Sequence, residues 1–184
     1  MFGKRRRRQT TPVDPDPIWR TLELVNEWIR HAEAKAGATL AGTITVLAGM
    51  FALWQASPPV WSWWFVTSAA LAISAFLIAA WLSIASLMPR LRVTPRGDGG
   101  TPNLLYFNDI ATWPEGGAAF MVEVVTISAQ PERLATELTR QLWANSNVAN
   151  KKFLWANRAI VAFTFQIALT VLNALMIVGQ VIIG

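Results

Sequence analysis

The chain has 184 residues, of which 53% are hydrophobic, and its 16 Lys and Arg against 11 Asp and Glu give a formal net charge of +5. The absence of cysteine excludes disulfides, thiolate nucleophiles and cysteine-based metal sites. With one histidine and few clustered carboxylates, a catalytic metal is not expected either. We therefore predict a protein without a metal, a cofactor or an enzymatic activity.

All charged residues lie outside two long stretches, residues 36–89 and 159–184. A helix of about 20 apolar residues crosses the hydrocarbon core of a bilayer, so the first stretch is long enough for two crossings and the second for one. This pattern predicts a mainly α-helical integral membrane bundle with three transmembrane helices and a small, mostly helical cytoplasmic portion. In such a protein the basic balance indicates contact with a lipid bilayer and not with a nucleic acid polymer.

Residues 1–17 are predicted to form a disordered, basic cytoplasmic tail. Residues 4–8 are all Lys or Arg, and three prolines between positions 12 and 17 prevent a helix. Next to membrane spans, a basic run of this kind is a topology signal and a contact for anionic lipids. Residues 18–35 are then predicted to form a cytoplasmic amphipathic helix, because their aliphatic side chains recur at spacings of three and four.

Residues 36–89 are predicted to form a transmembrane hairpin, with spans at about 36–56 and 60–88. A Ser-Pro-Pro turn separates the spans, and the tryptophans around it are typical of a membrane interface. The first span carries a stripe of small residues, which includes Gly37, Ala41 and Ala48. Because small residues let helices approach closely in lipid, we predict that this stripe contacts another helix.

Residues 90–157 form the predicted cytoplasmic portion. Within it, residues 103–111 are expected to be a short strand or a helical turn, and residues 118–127 a short helix or strand. A long helix is predicted to begin at Pro131 and to continue into the third transmembrane helix, residues 158–184. Basic residues flank the spans on this side and at the N-terminus. The positive-inside rule therefore places the N-terminus and residues 90–157 in the cytoplasm.

Three polar residues of the third span, Gln166, Asn173 and Gln180, are spaced by seven and share one stripe of the helix. Unpaired amides are costly in hydrocarbon. We predict that this stripe faces another helix or another subunit, as a homo-oligomer or a polar pathway would require.

Glu33 and Lys35 lie where the first helix is expected to enter the membrane. Lys35 can extend its ammonium to the interface as an isolated side chain. Alternatively, the two residues hold this helix to Arg140 or Asp109 in a resting state, and a ligand breaks that contact. The second interpretation makes them gating residues.

Four segments of the chain resemble the membrane-spanning effectors of bacterial Pycsar antiphage defence systems, both in their order and in their position relative to the spans. They are VNEWIRHAEAKA at residues 25–36, MPR at 88–90, NLLYFNDIA at 103–111, and RQ at 140–141 followed by NKKF at 150–153. The resemblance covers nearly the whole chain beyond residue 17. Glu33, where aspartate would be expected, and the basic proline-rich tail depart from it.

The resemblance implies a function in the bacterial inner membrane. A cognate pyrimidine cyclase would make cyclic UMP or cyclic CMP on phage infection, and the effector would respond by impairing membrane integrity, which arrests or kills the cell. An alternative from another class is a membrane scaffold protein whose cytoplasmic helix docks a protein partner.

A cyclic nucleotide requires a cation for its phosphate, polar groups for its ribose and base edges, and a flat apolar surface. The long helix offers four cations, Arg133, Arg140, Lys151 and Lys152. We favour Arg140 for the phosphate, because a guanidinium can bind it with two hydrogen bonds. The candidate ligand-binding residues are Asn103, Tyr106, Asp109, Arg140, Gln141, Lys151 and Lys152. The alternative roles are interface anchoring for the two lysines, core packing for Tyr106, and an ion pair between segments for Arg140 and Asp109.

Overall fold

The computed structural model describes residues 13–57, 62–88 and 102–183, and these ranges contain α-helices and no strand. The helices are α1 (Asp16–Ala56), α2 (Trp63–Leu87), α3 (Phe107–Ala111), α4 (Gly116–Ser128) and α5 (Pro131–Ile183). The predicted helical fold class is thereby confirmed. The basic run, most of the predicted tail, the prolines of the hairpin turn and the arginines that follow the second span lie outside the described residues.

The chain divides into two compact units. We call the first the polar unit, which comprises Met1–Asn26 and Leu91–Ser146, and the second the bundle unit, which comprises Glu27–Arg90 and Asn147–Gly184. Both α1 and α5 contribute residues to each unit.

Three helices, α1, α2 and α5, are long and apolar enough to cross a membrane. Helix α2 shows the pattern of a membrane helix most directly. Its buried residues are all serine or alanine, whereas Leu71, Leu77 and Ile78 are exposed. In water this arrangement would expose the large apolar side chains to solvent. In a bilayer those side chains face lipid tails, and the small residues let the helices pack closely. The helices therefore form a membrane-spanning bundle.

Within the chain, the small residues of α1 are covered in part: Gly42 lies close to the Phe163 ring of α5, whereas the predicted stripe beside it is largely open. Ala41 and Ala48 are exposed, and a Cβ added at Gly37 would meet nothing within 4 Å. The buried residues of this stretch are instead Ala36, Thr39 and Thr43. Small size permits a close approach of helices without requiring one, so residue size alone did not identify the covered face.

The polar unit is built from the first part of α1, the short helices α3 and α4, and the first part of α5. Residues 103–111 contain a turn followed by α3, and residues 118–127 lie within α4. Helix α4 begins at Gly116, whose φ of +80° is a conformation that favours glycine. The buried apolar side chains of this unit include Leu22, Val25, Leu104, Ile127 and Leu138.

Candidate functional site

Amide and carboxylate groups that are buried or partly buried form one hydrogen-bonded network in the polar unit. The backbone N–H of Asn103 donates to Asp109 Oδ2 at 2.8 Å, and Asn103 Nδ2 donates to Gln141 Oε1 at 2.9 Å. Gln141 Nε2 in turn donates to Asn145 Oδ1 at 3.0 Å, and Asn145 Nδ2 donates to Asn26 Oδ1 at 2.7 Å. The structure thus brings together three of the candidate residues, Asn103, Asp109 and Gln141.

The hydrogen-bonding groups of this network are occupied by one another. Asn103 uses its amide nitrogen on Gln141 and its amide oxygen on the backbone N–H of Leu105, at 2.8 Å. Because a buried polar group that loses its partner is costly, these side chains are suited to fixing the backbone around Asn103. The network thus holds the segment around Asn103 in place, and a pocket that is open to solvent lies beside this segment.

This pocket has a volume of about 340 Å³ and lies within the polar unit. One wall comes from the residues on either side of Asn103, and the other walls come from α4, the loop before it and the first turns of α5. The lining residues are Pro102, Leu104, Trp113, Pro114, Glu115, Ala119, Glu123, Ile127, Arg133 and Glu137. The pocket combines an apolar surface, one indole, one guanidinium and three carboxylates.

The guanidinium of the pocket belongs to Arg133, close to the start of α5. Its Nη2 lies 2.9 Å from Glu123 Oε1 of α4, and its Nη1 donates to Gln130 Oε1 at 3.2 Å. The Arg133 side chain is 53% exposed and the Glu123 side chain 36%. Exposed ion pairs of this kind contribute little to stability, so this one can open at low cost.

Arg140, the predicted phosphate contact, is engaged within its own helix. Its Nη1 lies 3.0 Å from both carboxylate oxygens of Glu137, which itself lines the pocket. Among the described contacts, the alternative ion pair with Asp109 does not form, and that carboxylate instead accepts a hydrogen bond from the backbone N–H of Asn103. Tyr106 is partly exposed, with its ring 5.0 Å from that of Phe107.

Lys151 and Lys152 belong to the bundle unit and lie in different environments. Lys151 is exposed, whereas the Lys152 side chain is only 4% exposed. Lys152 Nζ lies 2.7 Å from Glu33 Oε1 and donates to the backbone oxygen of Ser86 at 3.0 Å. Ser86 Oγ donates back to the backbone oxygen of Lys152 at 3.1 Å. Lys152 thus connects α1, α2 and α5.

The partner of Glu33 differs from both partners suggested by the sequence. Glu33 pairs with Lys152 rather than with Arg140 or Asp109. Lys35 is exposed, and its ammonium lies 5.5 Å from the centre of the Phe153 ring. This position of Lys35 agrees with a side chain that extends along the helix surface.

Two of the three polar residues in the third span face another helix of the same chain. Gln166 accepts a hydrogen bond from the Thr43 hydroxyl and donates to the Thr43 backbone oxygen at 2.9 Å. Asn173 Oδ1 accepts from Ser68 Oγ at 3.3 Å, whereas Gln180 is exposed. The predicted heptad stripe is therefore a helix-contacting face over its first two positions.

The pocket residues Trp113 and Glu123 were not selected from the sequence, and Arg133 was considered for the phosphate but ranked below Arg140. Trp113 and Glu123 stand in segments without any motif, and Arg133 is one of several basic residues on a long helix. The sequence offers only a weak signal for them, namely a Trp-Pro pair in a loop and a Glu and an Arg on consecutive predicted segments. Among the described residues, no group of three or more His, Asp or Glu is placed to hold a metal ion.

Comparison with known proteins identifies the family. The Pycsar effector protein domain matches residues 17–179. A curated relative, the Pycsar effector protein PtPycTM of Propioniciclava tarda, is 32% identical over 153 residues, which cover 83% of this chain and 74% of the relative. No solved structure gives a significant match. Since the match extends over both units and all three membrane-length helices, the chain belongs to the Pycsar effector family, whose members are membrane-spanning effectors of antiphage defence.

Proposed function

We propose that a cyclic pyrimidine mononucleotide, cyclic UMP or cyclic CMP, activates this effector, which then impairs the integrity of the inner membrane and causes growth arrest or cell death. The messenger would come from a cognate pyrimidine cyclase during phage infection. The protein itself performs no catalysis in this proposal, and the nucleotide is an activating ligand rather than a cofactor.

One observation supports the proposal above the others. The chain combines a unit with an open pocket that carries a guanidinium and an indole with a unit of membrane-length helices. The first has the groups that a small anionic aromatic ligand requires. The second is where a response to that ligand would act on the bilayer.

The proposed location is the inner membrane, with the N-terminus in the cytoplasm. The cluster of Lys and Arg at residues 4–8 and the basic residues Lys151 and Arg158 near the third span support this orientation through the positive-inside rule. A periplasm-active reporter fused after residue 184 should therefore be active, and the same reporter fused before residue 1 inactive. The reverse pattern would overturn the orientation.

Membrane damage in this proposal involves several copies of the chain. Gln166 and Asn173 are buried in contacts between helices of one chain, so they do not line an open path in this conformation. Opening therefore requires the helices to rearrange, and a homo-oligomer is the simplest assembly that can enclose a path. The messenger can drive this change only if it binds the open state more tightly than the closed one.

The deciding experiment measures membrane potential in cells that produce the effector together with a pyrimidine cyclase. We expect depolarisation when the cyclase is active and unchanged potential with a catalytically inactive cyclase. Messenger concentration is measured in the same cells. A normal membrane potential at high messenger concentration would overturn the proposal.

A second candidate function is a membrane scaffold that docks a protein partner. It is favoured by α4, whose side chains Met121, Val122 and Val125 are 68%, 67% and 71% exposed. A scaffold of this kind would bind its partner without any nucleotide, and its overproduction together with a cyclase would leave the membrane potential unchanged. The cyclase experiment therefore separates the two functions.

A further inference from the structure

The pocket of the polar unit has the size of a site for a small ligand. Its volume of about 340 Å³ lies near the lower end of the roughly 300–1,000 Å³ typical of small-molecule sites. A nucleotide with a one-ring base and a single phosphate suits this size better than a larger dinucleotide does. The inference below rests on the proposed function, since it locates the messenger of that function.

The apolar part of the pocket is suited to a flat base. Trp113 lines it, and its indole is held edge-on against Phe120, with ring centres 5.4 Å apart and planes inclined by 62°. Leu104 and Ile127 contribute aliphatic surface that is otherwise buried. An indole fixed by a neighbouring ring provides a stacking surface at low entropic cost.

The pocket has more carboxylates than cations, which restricts where a phosphate can bind. Among the described residues that line the pocket, Arg133 is the only cation, and Glu115, Glu123 and Glu137 are the anions. Glu137 is already paired with Arg140, and Glu123 with Arg133. Of the described lining residues, Arg133 is therefore the one suited to bind an entering phosphate, which would compete with Glu123 for it.

We propose that the phosphate of the cyclic pyrimidine mononucleotide takes Arg133 from Glu123, while the base stacks on Trp113 and a carboxylate of the pocket accepts a hydrogen bond from the ribose hydroxyl. Glu123 accepts a single hydrogen bond from the guanidinium, whereas the two free oxygens of a cyclic phosphate can accept two parallel ones. Glu123, which is partly exposed, turns toward solvent. The exchange also removes the Arg133–Glu123 ion pair, which links α4 to the first turns of α5.

Two substitutions that remove the same ion pair give opposite predictions. Glu123→Gln removes the competitor of the phosphate and leaves Arg133 available, so messenger affinity should rise by up to about fivefold, the scale of an exposed ion pair. Arg133→Gln removes the phosphate contact, so affinity should fall by at least about tenfold, the scale of a charge-assisted hydrogen bond. Any structural effect of the lost ion pair is common to both variants and cannot produce opposite shifts.

The measurement is calorimetric titration of the full chain in lipid nanodiscs with cyclic UMP and with cyclic CMP, and with cyclic AMP as a larger-base comparison. Arg20→Gln is the charge control, because Arg20 is exposed on α1 of the same unit and does not line the pocket. Its affinity should equal that of the unsubstituted chain. Equal helical content by circular dichroism in all variants confirms that they are folded.

The outcomes distinguish this inference from the proposed function. If the unsubstituted chain binds a cyclic pyrimidine and Arg133→Gln binds it equally well, the pocket is not the site, although the proposed function stands. If Glu123→Gln weakens binding or leaves it unchanged, the exchange at Arg133 is overturned. If the unsubstituted chain binds neither nucleotide and cells with active cyclase keep their membrane potential, the proposed function itself is overturned.

Discussion

Lys152 and Glu33 form an ion pair in which one partner is enclosed and the other reaches solvent. The Lys152 side chain is 4% exposed, the Glu33 side chain is 42% exposed, and their charged atoms are 2.7 Å apart. The ammonium also donates to the backbone oxygen of Ser86 at the end of α2. A buried charge depends on its partners far more than an exposed one, so the two residues are not equivalent.

Removing Glu33 should therefore destabilise the bundle more than removing Lys152. Glu33→Gln leaves a buried ammonium without its counter-ion, and we expect a loss of about 1–3 kcal/mol, below the roughly 3–5 kcal/mol of a fully buried pair because Glu33 is partly solvated. Lys152→Met removes the buried charge as well and should cost less. Unfolding in mixed micelles, followed by tryptophan fluorescence, measures both.

Glu27→Gln is the matched control for Glu33→Gln, since Glu27 is an exposed glutamate on the same helix. Its effect should lie within the measurement error. If Glu33→Gln were as neutral as Glu27→Gln, the ion pair would have no structural importance. If Glu33→Gln also lowered the messenger concentration needed for depolarisation, the pair would hold the resting state, as a gating role requires.

Gln166→Leu should destabilise the bundle, whereas Gln180→Leu should not. The two residues share one stripe of α5, but Gln166 exchanges two hydrogen bonds with Thr43 and Gln180 is exposed. Hydrogen bonds between membrane helices contribute about 0.6–2 kcal/mol, and this is the loss expected for Gln166→Leu. Denaturation by increasing the SDS fraction of the micelle compares the two. Equal effects would show that the stripe acts as a unit, as an interface between subunits would require.

Gly42→Ala and Gly49→Ala should change stability in opposite directions. A Cβ at position 42 would lie 2.8 Å from Phe163 Cζ, whereas one at position 49 would meet nothing within 4 Å. Alanine in the helix interior is favoured over glycine by roughly 0.5–1 kcal/mol, so Gly49→Ala should stabilise α1. Gly42→Ala should instead cost about 1–3 kcal/mol, the range for overpacking.

The thermal melting temperature of the purified protein measures the difference between the two alanine variants. Combining Gly42→Ala with Phe163→Leu should restore part of the loss, because the smaller side chain leaves space for the new methyl group. An unchanged melting temperature for Gly42→Ala alone would mean that the Phe163 ring moves aside at no cost.

Asn103→Ala should loosen the wall of the pocket in the polar unit. The substitution leaves Gln141 without one partner and frees the backbone of Leu105, so we expect a loss of about 1–3 kcal/mol. Hydrogen exchange of the backbone amides of residues 103–106 should accelerate. Asn108→Ala is the control, because Asn108 has only backbone hydrogen bonds among the described contacts. Unchanged exchange in the Asn103 variant would show that the network does not fix this segment.

The sequence was sufficient for the membrane-spanning architecture and for the family. A charged side chain is costly in hydrocarbon whatever its neighbours are, so the charge-free stretches mark the spans without knowledge of the fold. The pairing of Gln166 and Asn173 with other helices was predictable for the same reason, since an amide in lipid must find a partner. Both predictions depend only on single residues and on the lipid that surrounds them.

The tertiary structure was needed to identify which other side chain each charged residue contacts. Arg140 and Arg133 lie two turns apart on one helix, yet Arg140 closes on Glu137 of its own helix and Arg133 lines the pocket. Lys151 and Lys152 are adjacent, and only the second is buried against α1 and α2. Which side of a helix is covered depends on the packing of distant segments, and neither periodicity nor residue type encodes that choice locally.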